Sequence, residues 1–139
     1  MSDYTLPFDG ALLQFDIIHA LLKDGYWTPG IARAQVERAF GNSLAVGAFT
    51  AAGEQVGCAR MVTDRSSFGY LADVMVDKAH LGRGLGRAMT QALLDHPDIG
   101  GLRRIMLVTR DAHGVYGACG FEPVIDSSHF MQIHRPKSY

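Results

Sequence analysis

The sequence predicts a mixed α/β fold: one central sheet with helices on both faces. Three observations carry the prediction. Apolar residues recur at helical spacing in several separate stretches. Three strand-like runs succeed one another around turn residues in the middle of the chain. Further on, "RRIMLVTR" is a continuous apolar run bounded by arginines, the pattern of a strand buried on both faces. Helices interleaved with both meander-type and singly reached strands give such a layered sheet.

Ile17, Ile18, Leu21 and Leu22 fall on one helical face, with Asp16 as cap. In "TPGIARAQVERAF", Thr28 is the expected N-cap and Pro29 the first helical residue, with Ile31, Gln35, Val36, Ala39 and Phe40 at helical spacing after it. "SLAVGAF" and "EQVGCARMVT" flank "TAAGE", a hairpin around Gly53, and "FGYLADVMV" is the next strand. A helix runs from about Gly84 to Asp95, with Leu85, Ala88, Met89, Ala92 and Leu93 forming one apolar stripe. "DAHGVYGACG" reads as a short helix capped by Asp111 and stopped by Gly120, and "HFMQIHR" as a last strand. No repeat, linker or low-complexity run interrupts the chain, so residues 1–139 are expected to form a single domain.

Composition narrows the function classes. Hydrophobic residues make up 47% and charged residues 19%, which fits a globular protein. A net charge of −1 argues against a nucleic-acid partner. No apolar stretch approaches a membrane span, and "MSDYTLPFDG" lacks the pattern of a signal peptide, so no membrane association is expected. Two cysteines, Cys58 and Cys119, fit a reducing cytoplasm better than a disulfide framework.

The most informative stretch is "HLGRGLGRAM", His80 to Met89. It places Gly82, Gly84 and Gly86 with Arg83 and Arg87 at a helix entrance. Arginine there opposes the helix dipole, at roughly 0.3–1 kcal/mol each. Each truly helical glycine costs on the order of 1 kcal/mol against alanine. A bound anion accounts for both: the first helical amides lack partners, glycine permits close approach, and arginine adds charge. The loop has no Gly-Lys-Ser/Thr ending, so it is not a Walker A loop. The G-x-G-x-x-G spacing of the dinucleotide fold after its first strand is also missing.

"YLADVMV", "DKAH" and "LGRGLG", with "IMLVT", Tyr116 and "CGFEPV" later in the chain, resemble the GNAT superfamily of N-acetyltransferases over roughly residues 44–135. The resemblance implies the GNAT acyl-CoA N-acyltransferase fold, in which two parallel strands splay apart. Here these are the strands ending near Val76 and Val108. It further implies acetyl-CoA as cosubstrate, with Val74, Met75 and Val76 pairing with the pantetheine arm. The amides of Leu81, Gly82, Arg83, Gly84, Leu85, Gly86 and Arg87 would receive the pyrophosphate. Leu81 departs from the family's Arg/Gln, which implies weaker cofactor binding. Tyr116 matches the family's general acid, a phenol able to hand its proton to a thiolate. No metal is implied.

Other positions carry two readings. Asp73 lies beside the expected thioester, as base for the amine, as anchor for a cationic substrate, or as half of an ion pair with Arg60 or Arg110. His113 shares a helical face with Tyr116, and a surface or capping histidine is the simpler reading. Cys119 reads as an inert thiol. His129 and His134 face opposite ways in a strand and make a poor metal pair. Tyr26 and Trp27 fall in the family's acceptor-shaping loop, or close the core. The resulting expectation is direct acetyl transfer to a primary amine of a small molecule or peptide. The alternative is a non-catalytic acyl-CoA-binding or regulatory module on the same fold. The edges and apolar faces of "HFMQIHRPKSY" point to a homodimer.

Overall fold

The computed structural model describes residues 3–23, 25 and 28–136. Its sheet has the strand order β1-β2-β3-β4-β5, with β1 at Tyr4–Thr5, β2 at Leu44–Thr50, β3 at Gln55–Thr63, β4 at Phe68–Val76 and β5 at Arg104–Met106. The first four strands pair antiparallel, and β4 pairs parallel with β5. The meander and the hairpin are as the sequence predicts, with Gly53 at φ +87° in the turn. Strand β1 was not expected. It is two residues long, and its pairing of Tyr4 with Thr50 has no periodic signal to announce it.

Helices cover both faces. On one side α1 (Phe15–Leu22) and α2 (Arg33–Gly41) bury Ile18, Leu22, Val36 and Phe40 against Ala45 and Cys58. On the other, α3 (Leu85–Asp95) buries Leu85, Met89 and Leu93 against Val46, Ala48, Ala59, Met61 and Leu71. Strand alternation sorts β2 between the two sides, Ala45 to one and Leu44, Val46 and Ala48 to the other. Each fully buried Leu or Met contributes roughly 1.5–3 kcal/mol.

Several expected details are corrected. Thr28 is not a helix N-cap: its hydroxyl donates to the Leu22 carbonyl at 2.9 Å and closes the end of α1. Gly30, at φ +77°, prevents a helix starting at Pro29, and α2 begins only after Ala32. Asp16 is in the first turn of α1 rather than at its cap and pairs with Arg33, tying α1 to α2. Asp111 does not cap α4 (His113–Gly117); the Thr109 hydroxyl oxygen instead accepts the Ala112 amide at 3.0 Å. "RRIMLVTR" is a strand only over Arg104–Met106, and Val108 is 82% exposed, so the run is not buried on both faces. "HFMQIHR" forms no strand: Ser127–His129 is a 3-10 turn, and Met131 beyond it is 96% exposed.

A single irregularity in β4 shapes the sheet around the cleft. Cys58 pairs with Met75 and Arg60 with Ala72, so the one residue between them on β3, Ala59, faces two on β4, Asp73 and Val74. This is a β-bulge, which bends the strand and increases its twist. Asp73 takes it up at φ +56°, left-handed backbone that Asp adopts more readily than most residues.

Candidate active site

The parallel strands do separate. Their pairing comprises Phe68 with Arg104, Gly69 with Ile105 and Tyr70 with Met106, and then stops. Strand β4 continues to Val76, while the chain after β5 diverges. Between them is a cavity of about 510 Å³, walled by residues 71–74 on one side and 107–112 on the other, with Tyr116 at its rim. The expected second strand thus ends at Met106 rather than near Val108. Past Tyr70, the β4 backbone loses its β5 partner and leaves peptide groups for something else to satisfy. Val74, Met75 and Val76 lie in that stretch, each half-buried.

The glycine loop lies where this stretch leads. Lys78–His80 is one 3-10 turn, and α3 starts at Leu85 behind Gly84. Gly82 and Gly84 are left-handed at φ +78° and +73°, which explains glycine at both. A β-carbon there would meet no protein atom within 4 Å, so the loop faces open space. At Gly86 a β-carbon would lie 3.7 Å from Val74, an ordinary contact. No side chain caps α3, and its first turn holds no acidic residue. Its leading amides therefore have the character of an anion site. Leu81, 61% exposed, leaves its side chain in solvent, so its place in the loop is a backbone one.

Arg83 is held by a contact the sequence did not reveal. Its Nη1 donates to the Tyr4 hydroxyl at 2.8 Å, and that hydroxyl is 2.7 Å from His80 Nδ1. Tyr4 is buried in β1, so the N-terminal strand braces the loop. The partners lie 76 and 79 positions apart in the chain, beyond the reach of any local pattern.

Tyr116 sits on α4, half-buried, with its ring edge-on to Phe121 at 6.1 Å between centroids. It lines the cleft together with Asp73, so the structure brings the two expected catalytic residues to one cavity. Asp73 is 9% exposed and accepts a hydrogen bond from Arg60 Nε at 2.6 Å, realising the ion pair that was one of its readings. Arg60 also donates to Ser43 Oγ at 3.1 Å and lies over the Phe40 ring. Arg110 and Asp111 share the cleft wall, and Thr28 reaches it from the loop after α1. Tyr26 and Trp27, the expected acceptor contacts, lie outside the described residues.

His113 is exposed. Cys119 is half-buried, with its sulfur 3.9 Å from the Arg87 carbonyl oxygen, and Cys58 is fully buried. Burial pushes the Cys58 thiol far above its ordinary range, so it stays protonated. His129 pairs with Asp126 on the surface. Among the described residues no group of three metal-ligating side chains occurs, and no helix is long and apolar enough to cross a membrane.

This geometry has counterparts among known proteins. Residues 16–121 match the model of the acetyltransferase (GNAT) family. A candidate acetyltransferase of Gibberella zeae is 34% identical, over 84% of this chain and 77% of its own. A candidate GNAT acetyltransferase from Xanthomonas campestris pv. campestris superposes with a TM-score of 0.93 at 40% identity, covering 98% of this chain and 96% of its own. The chain belongs to the GNAT acetyltransferase family. A more distant structure shares the fold, an acetyltransferase candidate from Clostridium acetobutylicum solved with acetyl-CoA. Its TM-score is 0.68 at 18% identity, covering 95% of each chain.

Proposed function

We propose that the protein is an acetyl-CoA-dependent N-acetyltransferase whose acceptor is a primary amine of a small molecule or peptide. The observation that carries the reading is the separation of β4 from β5 beyond Tyr70 and Met106, in line with an uncapped, glycine-led helix start. These parts suit one elongated ligand with an anionic middle and a peptide-like arm. The residues present fit acetyl-CoA on that ground: open left-handed glycines, free space at Gly82 and Gly84, and a strand edge lacking its neighbour.

In this reading the amides from Leu81 to Arg87, with the Arg83 and Arg87 side chains, hold the pyrophosphate. Backbone groups of Val74, Met75 and Val76 hold the arm as an added strand would be held. When bound, acetyl-CoA supplies an acetyl group activated as a thioester. Asp73, its carboxylate fixed by Arg60, attracts and orients the amine. The Tyr116 phenol holds the proton needed by the departing sulfur. Neither cysteine is in a disulfide, which supports a reducing, cytoplasmic setting.

The test has two stages. Calorimetry with acetyl-CoA is expected to show one site per chain. A panel of amines, read by release of free CoA thiol, is expected to yield at least one acceptor that drives turnover. Tight binding with no amine-dependent release across the panel would replace the enzyme by the non-catalytic acyl-CoA-binding module. Absence of binding would overturn both.

A further inference from the structure

The two arginines at the start of α3 are held in different ways. Both are exposed. The Arg87 guanidinium has no partner among the described residues; only the residue's carbonyl oxygen is engaged, by Cys119 Sγ. Arg83 ends on a fixed point, the Tyr4 hydroxyl, 2.8 Å from its Nη1. That hydroxyl is itself fixed from two sides. The Tyr4 ring is packed in the core with Val46 and Ala48, and its backbone pairs with Thr50. The oxygen is 2.7 Å from His80 Nδ1, and the two rings meet edge-on at 5.7 Å between centroids. Arginine can only donate, so the phenol oxygen accepts from Arg83 and keeps its own proton for another partner. Giving that proton to His80 Nδ1 satisfies every group in the chain when the imidazole carries its hydrogen on Nε2. The fold does not need this hydroxyl, since ring burial and strand pairing already hold β1. Both of its partners belong to the glycine loop.

We propose that Tyr4 is a positioning residue of the cofactor site: its hydroxyl, backed by His80, holds the Arg83 guanidinium in one place at the glycine loop before the ligand arrives. The inference rests on the acetyl-CoA reading above. A long side chain that becomes ordered on binding loses rotamer freedom, and that loss weakens affinity. Arg83 has already lost this freedom in the free protein, and the rest of its donors remain for the anion. Arg87 has not. The two residues therefore divide the work: Arg83 acts through a preset geometry, Arg87 through charge. Tyr4 acts only through Arg83.

Calorimetry with acetyl-CoA tests this on wild type, Tyr4→Phe, Arg83→Met and the Tyr4→Phe/Arg83→Met double variant, each first shown to melt cooperatively. Tyr4→Phe keeps the ring and removes the hydroxyl. It is expected to weaken acetyl-CoA roughly 3- to 10-fold, the effect of ordering one long side chain on binding. In the Arg83→Met background the same change should alter affinity by less than about 2-fold, because the residue it acts through is gone. Unchanged affinity in Tyr4→Phe, or an equal loss in both backgrounds, overturns the proposal, the second by making the hydroxyl merely structural. A second pair of variants leaves the core untouched. Lysine keeps the charge but lacks the guanidinium fork that serves Tyr4 and an anion together. Arg83→Lys should therefore lose at least about 3-fold more affinity than Arg87→Lys. Equal losses overturn the division between the two arginines. Wild type that binds acetyl-CoA with no sensitivity to Tyr4 overturns this inference alone. Wild type that fails to bind overturns the cofactor reading and this inference with it.

Discussion

Replacing Asp73 by Asn separates what this residue does for the fold from what it does for the amine. Its carboxylate is 2.6 Å from Arg60 Nε, with side-chain exposures of 6% for Asp73 and 18% for Arg60. Removing one partner of a fully buried pair costs about 3–5 kcal/mol. Asn moderates that cost in two ways. Its side-chain oxygen still accepts from Arg60, and it tolerates the left-handed backbone at φ +56°. Arg60 also keeps Ser43 and the Phe40 ring. The expected loss is therefore about 1–3 kcal/mol, or roughly 3–5 °C in Tm per kcal/mol for a chain of this size. Asp73→Ala removes the acceptor as well and adds about 1–2 kcal/mol for alanine at positive φ, so its loss should approach the full range. The assay is urea unfolding of the two single variants, of Arg60→Met and of the Asp73→Asn/Arg60→Met double variant. A coupling of about 1–3 kcal/mol between the sites is expected. With an acceptor in hand, Asp73→Asn should raise the KM for the amine and leave acetyl-CoA affinity unchanged. Wild-type stability in both Asp73 variants, together with zero coupling, would refute the account of the pair.

Three further expectations concern the site and the core. Tyr116→Phe keeps the ring against Phe121 and removes the proton donor, so turnover should fall by roughly 10²-fold or more with little change in acetyl-CoA affinity; equal turnover with chemistry rate-limiting leaves Tyr116 as packing. Gly84→Glu places a carboxylate where the anion is expected and costs about 1–2 kcal/mol in backbone strain at φ +73°. Calorimetry should show acetyl-CoA binding abolished in a variant that melts cooperatively, and retained affinity defeats the cradle. For Cys58 the sign runs against alkali. Below the ordinary thiol pKa of 9.0 both folded and unfolded chains hold the proton; above it only the unfolded thiol ionises, because burial holds the folded one up. Stability should thus fall above about pH 9 by up to ~1.4 kcal/mol per unit from this group, and urea midpoints of Cys58→Ala should fall less steeply there than wild type.

What the sequence revealed and what it hid have physical reasons. The α3 stripe from Leu85 to Leu93 was legible because burial against a sheet imposes helical spacing, and the glycine loop because glycines and arginines at a helix entrance are costly unless an anion binds there. The meander was legible from alternation. Thr28 misled because the same hydroxyl that opens one helix can close the previous one, and the choice depended on Gly30. "RRIMLVTR" and "HFMQIHR" read as strands because apolar content reports the capacity to pair, whereas pairing needs a neighbour at the right distance. The chain after Met106 has none because β4 has bent away. The bulge at Asp73 was invisible to a pattern that assumes strict alternation, although an Asp inside an apolar strand was a local cue. The Tyr4–His80–Arg83 brace joins distant segments and leaves no periodic trace.

The bulge in β4 means that the cleft rests on a count rather than on a side chain. One surplus residue on one strand lets the sheet open. Substitutions along the walls alter the lining but leave that surplus in place. A single-codon deletion within Asp73–Val74 would bring the strand back into step with β3 and draw it toward β5, converting an open doorway into continuous sheet with every other wall residue still encoded. In a lineage of such chains, length conservation between Tyr70 and Val76 would therefore be a stricter constraint than identity at any one of those positions, Asp73 included.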